Sequence, residues 1–359
     1  MPRDPEVDLI LSHFRPRYVA TGVDPNDLDR IAARIERWDD WCRVWSEDAR
    51  RHETQAQESA RLGRRVTAAE HHLRAAIGYH YAKHLFADRA GEYREAHDAM
   101  LRCYAAAAAD TDPPMERVLF PFEGVRMAGW LRRPRGAVRP PVAVILPGLD
   151  ACKEELHAWT DAFLARGMAT LALDGPGQGE TAFLLPIRTD WGRVIGSVID
   201  TLASRQDLDV SRLGVVGQSL GAFYAPLAAS QEPRIAACVS NCGPFDFAPV
   251  IRQMPRASQA TFRVRCHAGT DEEADAVAAD LNLRDRAQDI RCPLLVVFGG
   301  GDRIVPPAEG ERLARAASGP VDFVVYPDGN HVCFNISYRF RALTADWLAE
   351  HLVTANARG

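Results

Sequence analysis

The apolar residues of the first 112 positions recur at the three- and four-residue spacing of amphipathic helices. A first helix is predicted to begin at Asp24-Pro25, a capping residue followed by a proline that suits the first helical turn. Its apolar face consists of Leu28, Ile31, Ile35, Trp38, Cys42 and Trp45. A second helix is predicted to open with the capping box from Thr67 to Glu70, and a third to run from about Glu92 to Ala109. Residues 1–112 are therefore predicted to form an all-helical accessory or lid domain.

After a linker at residues 110–114, the pattern changes to short apolar runs that alternate with helical stretches. Eight of these runs are predicted strands: Met115–Pro121, Val125–Arg132, Val142–Leu146, Ala169–Leu173, Leu213–Val216, Ile235–Val239, Leu294–Phe298 and Phe323–Tyr326. The later runs are apolar throughout, which is typical of strands covered by helices on both faces. Residues 115–359 are therefore predicted to form a mixed, mostly parallel doubly wound α/β sheet that starts with a hairpin.

The interval from about 244 to 289 interrupts this alternation and is predicted to be a cap-like insertion. Ligands of open α/β sheets bind at the carboxyl edge of the strands. Because the interval follows a strand, we expect the insertion to lie over that edge and over a bound ligand.

Composition and charge exclude several other classes of protein. The chain is 47% hydrophobic and 25% charged, as in ordinary globular proteins, and its net charge of −5 gives no basic surface for nucleic acid. No apolar run is long enough to span a membrane, and the first residues lack the apolar segment of a signal peptide. Eight cysteines without a CxxC pair favour reduced thiols in the cytoplasm, and we expect neither a metal nor a cofactor.

The motif with the clearest chemistry is Gly217-Gln218-Ser219-Leu220-Gly221, a GxSxG sequence between a predicted strand and a predicted helix. This context defines a nucleophile elbow, in which small flanking residues allow a strained turn that presents the serine. Ser219 is therefore the predicted nucleophile.

A serine nucleophile needs a base and an acid that orients the base. His331 follows the last predicted strand, and Asp302 follows the strand before it, so that the order is serine, acid, histidine. Asp328 lies closer to His331 in sequence but is interpreted as a turn residue, and Asp246 is a second candidate acid.

Backbone N–H groups are predicted to bind the negative oxygen of the reaction. The N–H of Leu220 follows the nucleophile, and the N–H of Leu149 lies after the strand Val142–Leu146, with Asp150 as its substitute. The glycine-rich segment Asp174–Gly179 lacks the P-loop pattern, and no lysine lies near it in sequence, so we interpret it as a tight connection at the rim of the site.

These residues resemble the α/β-hydrolase family from about Met115 onward, and most closely its branch of 2,6-dihydroxypseudooxynicotine hydrolases. The segments that resemble the branch are Gly148–Glu155, Arg166–Thr170, Asp174–Glu180 and Gln218–Gly221. The helical N-terminal region looks like the accessory domain of that branch. The resemblance implies an α/β-hydrolase fold, a triad of Ser219, Asp302 and His331, no cofactor, and hydrolysis of a C–C bond beside a ketone carbonyl in an aromatic or polyketide-like molecule.

Substrate contacts do not transfer with the resemblance and are hypotheses. They are Tyr79, His80 and Tyr81 from the accessory helices, with Tyr224 and Asp246 from the sheet domain. The alternative function is a carboxylesterase, since the same machinery cleaves esters. A prolyl-oligopeptidase-like peptidase and a non-catalytic binder are further alternatives, and the accessory helices could form a homodimer interface instead of a lid.

Overall fold

The computed structural model describes residues 3–353 of the chain. The described residues divide into two compact units, with the boundary between Glu116 and Arg117. The first unit is helical, and the second contains the whole sheet except the first two residues of its first strand.

The helical unit contains five α-helices, which are α1 (Pro5–Ala20), α2 (Pro25–Ala32), α3 (Trp41–Arg61), α4 (Arg65–Lys83) and α5 (Ala90–Ala107). Aromatic rings from three of them form its core, where Trp45 and Tyr81 pack with ring centroids 5.5 Å apart. The indole of Trp41 donates to the carbonyl of Tyr81 at 2.8 Å, and Tyr81 Oη lies 2.6 Å from Thr21 Oγ1. These rings join α3 to α4 and to the end of α1.

Two predictions for this unit are wrong. The helix that starts at Pro25 ends at Ala32 instead of continuing to Trp45. A carbonyl at a helix end has no intrahelical partner, and here the carbonyl of Ala32 accepts the guanidinium of Arg3 at 2.7 Å. The helix α4 begins at Arg65, so Thr67 lies inside it and does not cap it. In addition, α1 was not predicted from the sequence.

The second unit is built on eight strands: β1 (Met115–Phe122), β2 (Val125–Arg132), β3 (Pro141–Leu146), β4 (Ala169–Asp174), β5 (Asp209–Gln218), β6 (Ala237–Asn241), β7 (Leu294–Gly299) and β8 (Val321–Tyr326). Their order is β1-β2-β4-β3-β5-β6-β7-β8. β2 runs antiparallel to β4, while β3 to β8 pair in parallel. Every strand overlaps its predicted run, and the predicted mixed, mostly parallel sheet is confirmed.

Eight α-helices accompany the sheet: α6 (His157–Leu164), α7 (Trp191–Leu202), α8 (Leu220–Gln231), α9 (Phe247–Ile251), α10 (Arg256–Arg265), α11 (Asp271–Asp280), α12 (Pro307–Ala316) and α13 (Ser337–Leu352). A 3-10 turn, Lys153–Leu156, directly precedes α6. Helices α9 to α11 occupy the interval between β6 and β7. Within residues 3–353, no helix has the length and apolar character needed to cross a membrane.

Candidate active site

Ser219 occupies a strained turn between β5 and α8. Its φ of 53° and ψ of −122° lie outside the regions that L-residues prefer. A Cβ on Gly217 would lie 2.0 Å from the carbonyl oxygen of Gly221, and a Cβ on Gly221 would lie 2.3 Å from that of Leu146. Only glycine fits at either flank, which is why the GxSxG sequence folds into this turn. The N–H of Ser219 donates to the carbonyl of Asn241 at 3.0 Å, which fixes the turn to β6.

The structure brings Ser219, His331 and Asp302 into one hydrogen-bonded chain. His331 Nε2 lies 2.9 Å from Ser219 Oγ, and His331 Nδ1 lies 2.7 Å from Asp302 Oδ2. The other carboxylate oxygen of Asp302 accepts the N–H groups of Ile304 at 2.8 Å and Val305 at 2.9 Å. The carboxylate is thus held from both sides, and the imidazole reaches from it to the hydroxyl.

Electrostatics keep the Asp302 carboxylate ionised in this position. Burial alone would raise its pKa, but His331 and the N–H groups of Val305 and Ile304 outweigh burial and hold the pKa below its ordinary value. An ionised acceptor at Nδ1 places the ring proton there and leaves Nε2 free to accept the proton of Ser219.

The loop that carries His331 is closed by its own polar side chains. The N–H of Asn330 donates to Asn335 Oδ1 at 2.8 Å, and Asn335 Nδ2 donates to the carbonyl of Asp328 at 2.7 Å. The carboxylate of Asp328 is exposed and pairs with Arg339. Asp302, rather than Asp328, is therefore the acid that contacts His331.

The residues that follow β3 lie directly against the serine. We call Pro147, Gly148, Leu149 and Asp150 the candidate oxyanion loop. A Cβ on Gly148 would lie 3.2 Å from Ser219 Cβ and 3.6 Å from Ser219 Oγ, so the backbone of this loop borders the hydroxyl. Leu220 begins α8, and the backbone N–H groups at the start of a helix are free to bind a negatively charged oxygen. The two predicted N–H donors therefore belong to segments that adjoin Ser219, namely the candidate oxyanion loop and the start of α8.

The predicted substrate contacts in the helical unit are buried among its own residues. Tyr79 donates from Oη to Glu53 Oε2 at 2.8 Å, Tyr81 lies in the aromatic core, and His80 packs beside Tyr81 with ring centroids 4.8 Å apart. Burial and hydrogen bonding to Glu53 raise the pKa of Tyr79. Their roles toward a substrate stay predictions.

The two predicted contacts in the sheet unit are also held by neighbours. Tyr224 is fully buried and stacks on Trp191 with ring centroids 4.2 Å apart. Asp246 forms an ion pair with Arg284, and its N–H donates to Glu309 at 2.8 Å. These contacts anchor the segment that contains α9 to α11. A role of Asp246 in substrate binding stays a prediction.

The sequence did not predict a charge cluster in which Lys153 and Glu154 meet Asp174 and Glu180, because the two pairs are at least 20 positions apart. Lys153 Nζ lies 2.8 Å from Asp174 Oδ2, 2.8 Å from Glu154 Oε1 and 2.7 Å from Glu180 Oε1. Lys153 is 21 positions from Asp174 in sequence but contacts it in the folded protein, so the expectation of no lysine near Asp174–Gly179 is wrong. Only Lys153-Glu154-Glu155, three consecutive charged residues that are all buried, offered a signal for it.

Two groups of described residues bring metal-ligand types together, namely Cys242, Asp302 and His331, and Asp27, Asp48 and His52. In the first group, both ring nitrogens of His331 already bind Ser219 and Asp302. In the second, Arg30 pairs with both carboxylates. Each group is therefore explained by hydrogen bonds and ion pairs within the protein.

Comparisons with known proteins identify the family of the chain. A family model described as Esterase FrsA-like matches residues 29–254, and the model of the Prolyl oligopeptidase family matches residues 155–354. The chain belongs to the α/β-hydrolase superfamily, within the FrsA-like esterase family. It is a hydrolase, and the fold predicted from the sequence is confirmed.

Individual relatives confirm the predicted branch. The 2,6-dihydropseudooxynicotine hydrolase of Paenarthrobacter nicotinovorans is 32% identical over 339 residues, which cover 94% of this α/β-hydrolase and 91% of the relative. The crystal structure of a 2,6-dihydroxy-pseudo-oxynicotine hydrolase superposes with a TM-score of 0.86 at 31% identity, covering 95% of this chain and 96% of that one. The 20-hydroxy-prefusarin hydrolase FUS2 of Gibberella moniliformis is 32% identical over 65% of this chain and 60% of its own.

Proposed function

We propose that this α/β-hydrolase is a serine hydrolase that cleaves the bond next to a carbonyl group in a small molecule. The observation that supports this most directly is the chain of contacts from Ser219 Oγ through His331 to Asp302, at 2.9 and 2.7 Å. In this arrangement the imidazole accepts the hydroxyl proton while the serine oxygen attacks the carbonyl carbon. Asp302 holds the ring in the required tautomer and stabilises the imidazolium that forms.

The oxygen of the attacked carbonyl becomes negative and needs donors. In our proposal the backbone N–H groups of Leu149 and Leu220 supply them, because both belong to segments that adjoin Ser219. Backbone donors that are fixed before the reaction are worth about 3–4 kcal/mol each in the transition state.

We further propose that the bond is a carbon–carbon bond, as in the branch that the chain resembles, to which the two pseudooxynicotine hydrolases described above belong. When the tetrahedral intermediate collapses, the electron pair of that bond leaves on carbon, where a second carbonyl delocalises it. His331 returns to this carbon the proton that it took from Ser219. Water, deprotonated by His331, then attacks the acyl group on Ser219. The bond between the acyl carbon and Ser219 Oγ breaks, His331 returns the proton to that oxygen, and a carboxylic acid is released, so that one water is consumed per bond cleaved.

The match to an esterase family favours a second candidate, carboxylesterase activity. The same three side chains and two N–H groups serve both reactions, and only the leaving group differs, because an ester expels an alkoxide. A peptidase is a weaker alternative, supported by the match of residues 155–354 to the prolyl oligopeptidase family.

The deciding experiment incubates the wild type and Ser219→Ala with an aryl β-diketone and with the aryl ester of the same acid, and identifies the products by mass spectrometry. We expect the diketone to yield an acid and a ketone, and the variant to yield neither. Turnover of the ester alone would establish the carboxylesterase. Undiminished turnover by Ser219→Ala would refute the serine mechanism, and a folded wild type that forms no Ser219 adduct with a fluorophosphonate would favour a non-catalytic binder.

The helical unit is proposed to act as a lid that selects the substrate, with a homodimer interface as the alternative. Tyr79, His80 and Tyr81 lie in its interior, so a specificity role would act through the shape of the unit. Sedimentation velocity of the purified chain distinguishes a monomer from a dimer.

A further inference from the structure

Gln178 joins two loops beside Ser219 through both ends of its carboxamide. Its Nε2 donates to the carbonyl of Pro147 at 2.5 Å, and its Oε1 accepts the N–H of Gly175 at 3.1 Å. The side chain is only 1% exposed. A buried carboxamide whose donor and acceptor are both used is fixed in one orientation, so it links the candidate oxyanion loop to the loop that follows β4.

The carbonyl that receives this bond is confined on its other side by α8. A Cβ on Gly221 would lie 2.5 Å from the oxygen of Pro147, so this oxygen lies between the start of α8 and Gln178. Because a peptide group is planar, fixing the Pro147 carbonyl also fixes the N–H of Gly148. Only the two torsions of Gly148 then separate this fixed plane from the N–H of Leu149.

The loop on which Gln178 stands is itself anchored by buried charge. Asp174, at the end of β4, accepts the backbone N–H of Lys153 at 2.8 Å and the ammonium of Lys153 at 2.8 Å. Its backbone carbonyl accepts the hydroxyl of Thr181 at 2.8 Å. These bonds fix Asp174 and Thr181, which flank Gln178 in sequence. They also fix Lys153, which follows the candidate oxyanion loop by three positions.

The charged cluster leaves no room for this loop to shift. A Cβ on Gly179, where φ is +43°, would lie 1.8 Å from Asp174 Oδ2. Burial would lower the pKa of Lys153, but Asp174, Glu154 and Glu180 outweigh burial and raise it, so the ammonium stays charged. Lys153, Glu154 and Asp174 are fully buried in this network, so a displacement that separated them would leave a buried charge without its partner.

We infer that Gln178 is a positioning residue of the oxyanion hole, which orients the N–H of Leu149 by holding the carbonyl of Pro147. It acts through the backbone and does not touch the reacting atoms. This inference rests on the proposed function, because the oxyanion hole belongs to the proposed mechanism. Its effect is therefore expected in the transition state rather than in substrate binding.

The test replaces Gln178 by methionine, which is neutral and of similar size and lacks both hydrogen bonds. Gln231→Met is the matched control, since Gln231 makes the same pair of bonds in the same unit, to the N–H of Gly192 at 2.7 Å and the carbonyl of Thr189 at 2.9 Å. With p-nitrophenyl acetate, we expect Gln178→Met to lower kcat about 10- to 100-fold and to leave KM within about twofold. Gln231→Met is expected to retain wild-type kcat.

A measurement on the bound oxyanion separates positioning from loss of structure. A trifluoromethyl ketone labelled with ¹³C at its carbonyl forms a hemiketal with Ser219, and the pKa of the hemiketal oxygen is read from its carbon shift. We expect this pKa to rise by about one unit in Gln178→Met, which is tenfold weaker stabilisation of the anion, and to stay unchanged in Gln231→Met. Gln178→Asn, whose shorter side chain cannot make both bonds, is expected to shift it in the same direction and serves if the methionine variant does not fold.

The outcomes separate this inference from the proposed function. If the wild type forms no hemiketal and Ser219→Ala keeps its turnover, the serine mechanism is wrong. If the hemiketal forms and its oxygen titrates identically in the wild type, Gln178 variants and Gln231→Met, the mechanism stands and the positioning role is refuted.

Discussion

The Cα of Gly148 faces the side chain of Ser219 so closely that a methyl group on it would lie 3.2 Å from Ser219 Cβ and 3.6 Å from Oγ. The serine cannot withdraw, because its strained turn is fixed by Gly217 and Gly221 and by the bond from its N–H to Asn241. Glycine is thus required at position 148 by a close approach of backbone to a side chain rather than by a positive φ.

Gly148→Ala is therefore expected to reduce activity more than stability. The added methyl would push the candidate oxyanion loop away from Ser219 by a few tenths of an ångström, and we expect kcat with p-nitrophenyl acetate to fall about tenfold or more. Gly91→Ala is the control, because nothing lies within 4 Å of a Cβ there and the residue stands in α5. That variant is expected to keep full activity, and equal rates for the two variants would contradict the close approach.

Asp302→Asn tests the part of the acid that contacts His331. An asparagine keeps the acceptor for the N–H groups of Ile304 and Val305 but presents an NH₂ group to the imidazole, which favours the tautomer with the proton on Nε2. We expect kcat to fall about 10³- to 10⁴-fold, measured by steady-state ester hydrolysis.

Asp328→Asn provides the matched control for this substitution. Asp328 precedes His331 by three residues, is exposed, and pairs with Arg339. We expect its rate to stay within about twofold of the wild type, as for other exposed ion pairs. A larger loss in Asp328→Asn than in Asp302→Asn would reverse the assignment of the acid.

Local signals account for what the sequence predicted correctly. The strands β3, β4 and β7 are buried along their whole length and are largely apolar, as expected of strands covered by helices on both faces, and this pattern is visible in the sequence alone. Ser219 stands out as a candidate nucleophile because the GxSxG motif is a local signal, although only Gly217 is required by a contact within the turn, and Gly221 is required by the carbonyl of Leu146 on β3. His331 and Asp302 followed from their positions after strands, since parallel strands bring their carboxyl ends to one edge.

Long-range contacts explain what the sequence did not show. The helical periodicity continues from Leu28 to Trp45, yet the helix ends at Ala32, whose carbonyl accepts a hydrogen bond from the side chain of Arg3. Likewise, Lys153 and Asp174 are 21 positions apart, and only the folded sheet brings the ammonium to the carboxylate. Neither contact leaves a periodic or short-range signal.

His157 makes stability depend on pH. Burial and the positive charge of Arg132 lower the pKa of His157 from 6.5 to about 4, although the negative charge of Asp161 acts in the opposite direction. The position of His157 at the start of α6 also disfavours a positive charge. The unfolded chain therefore binds a proton at a higher pH than the folded chain, so the contribution is complete above about pH 6.5 and is lost as the pH falls toward 4. Of the stability that urea unfolding shows to be lost between pH 7 and pH 5, we expect His157 to account for about 2 kcal/mol.

The variant His157→Gln should remove the contribution of His157 to the pH dependence of stability. The control is His351→Gln, at a position near the end of α13, which should preserve that contribution. The two variants are compared by the difference in unfolding free energy between pH 7 and pH 5. Equal differences in the wild type and His157→Gln would show that another group carries the effect.

Lys153→Met tests the buried cluster on which the loop of Gln178 depends. The substitution leaves Asp174 and Glu154 buried without their ammonium, while Glu180 retains its ion pair with Arg117 at 2.6 Å. Removing one partner of a buried ion pair costs about 3–5 kcal/mol, which denaturant unfolding measures directly. Arg315→Met, which removes an exposed pair with Glu311, is expected to cost less than about 1 kcal/mol. Adding Asp174→Asn to Lys153→Met removes one of the stranded charges and should recover part of the loss, whereas a further loss of stability would contradict the electrostatic account of this cluster.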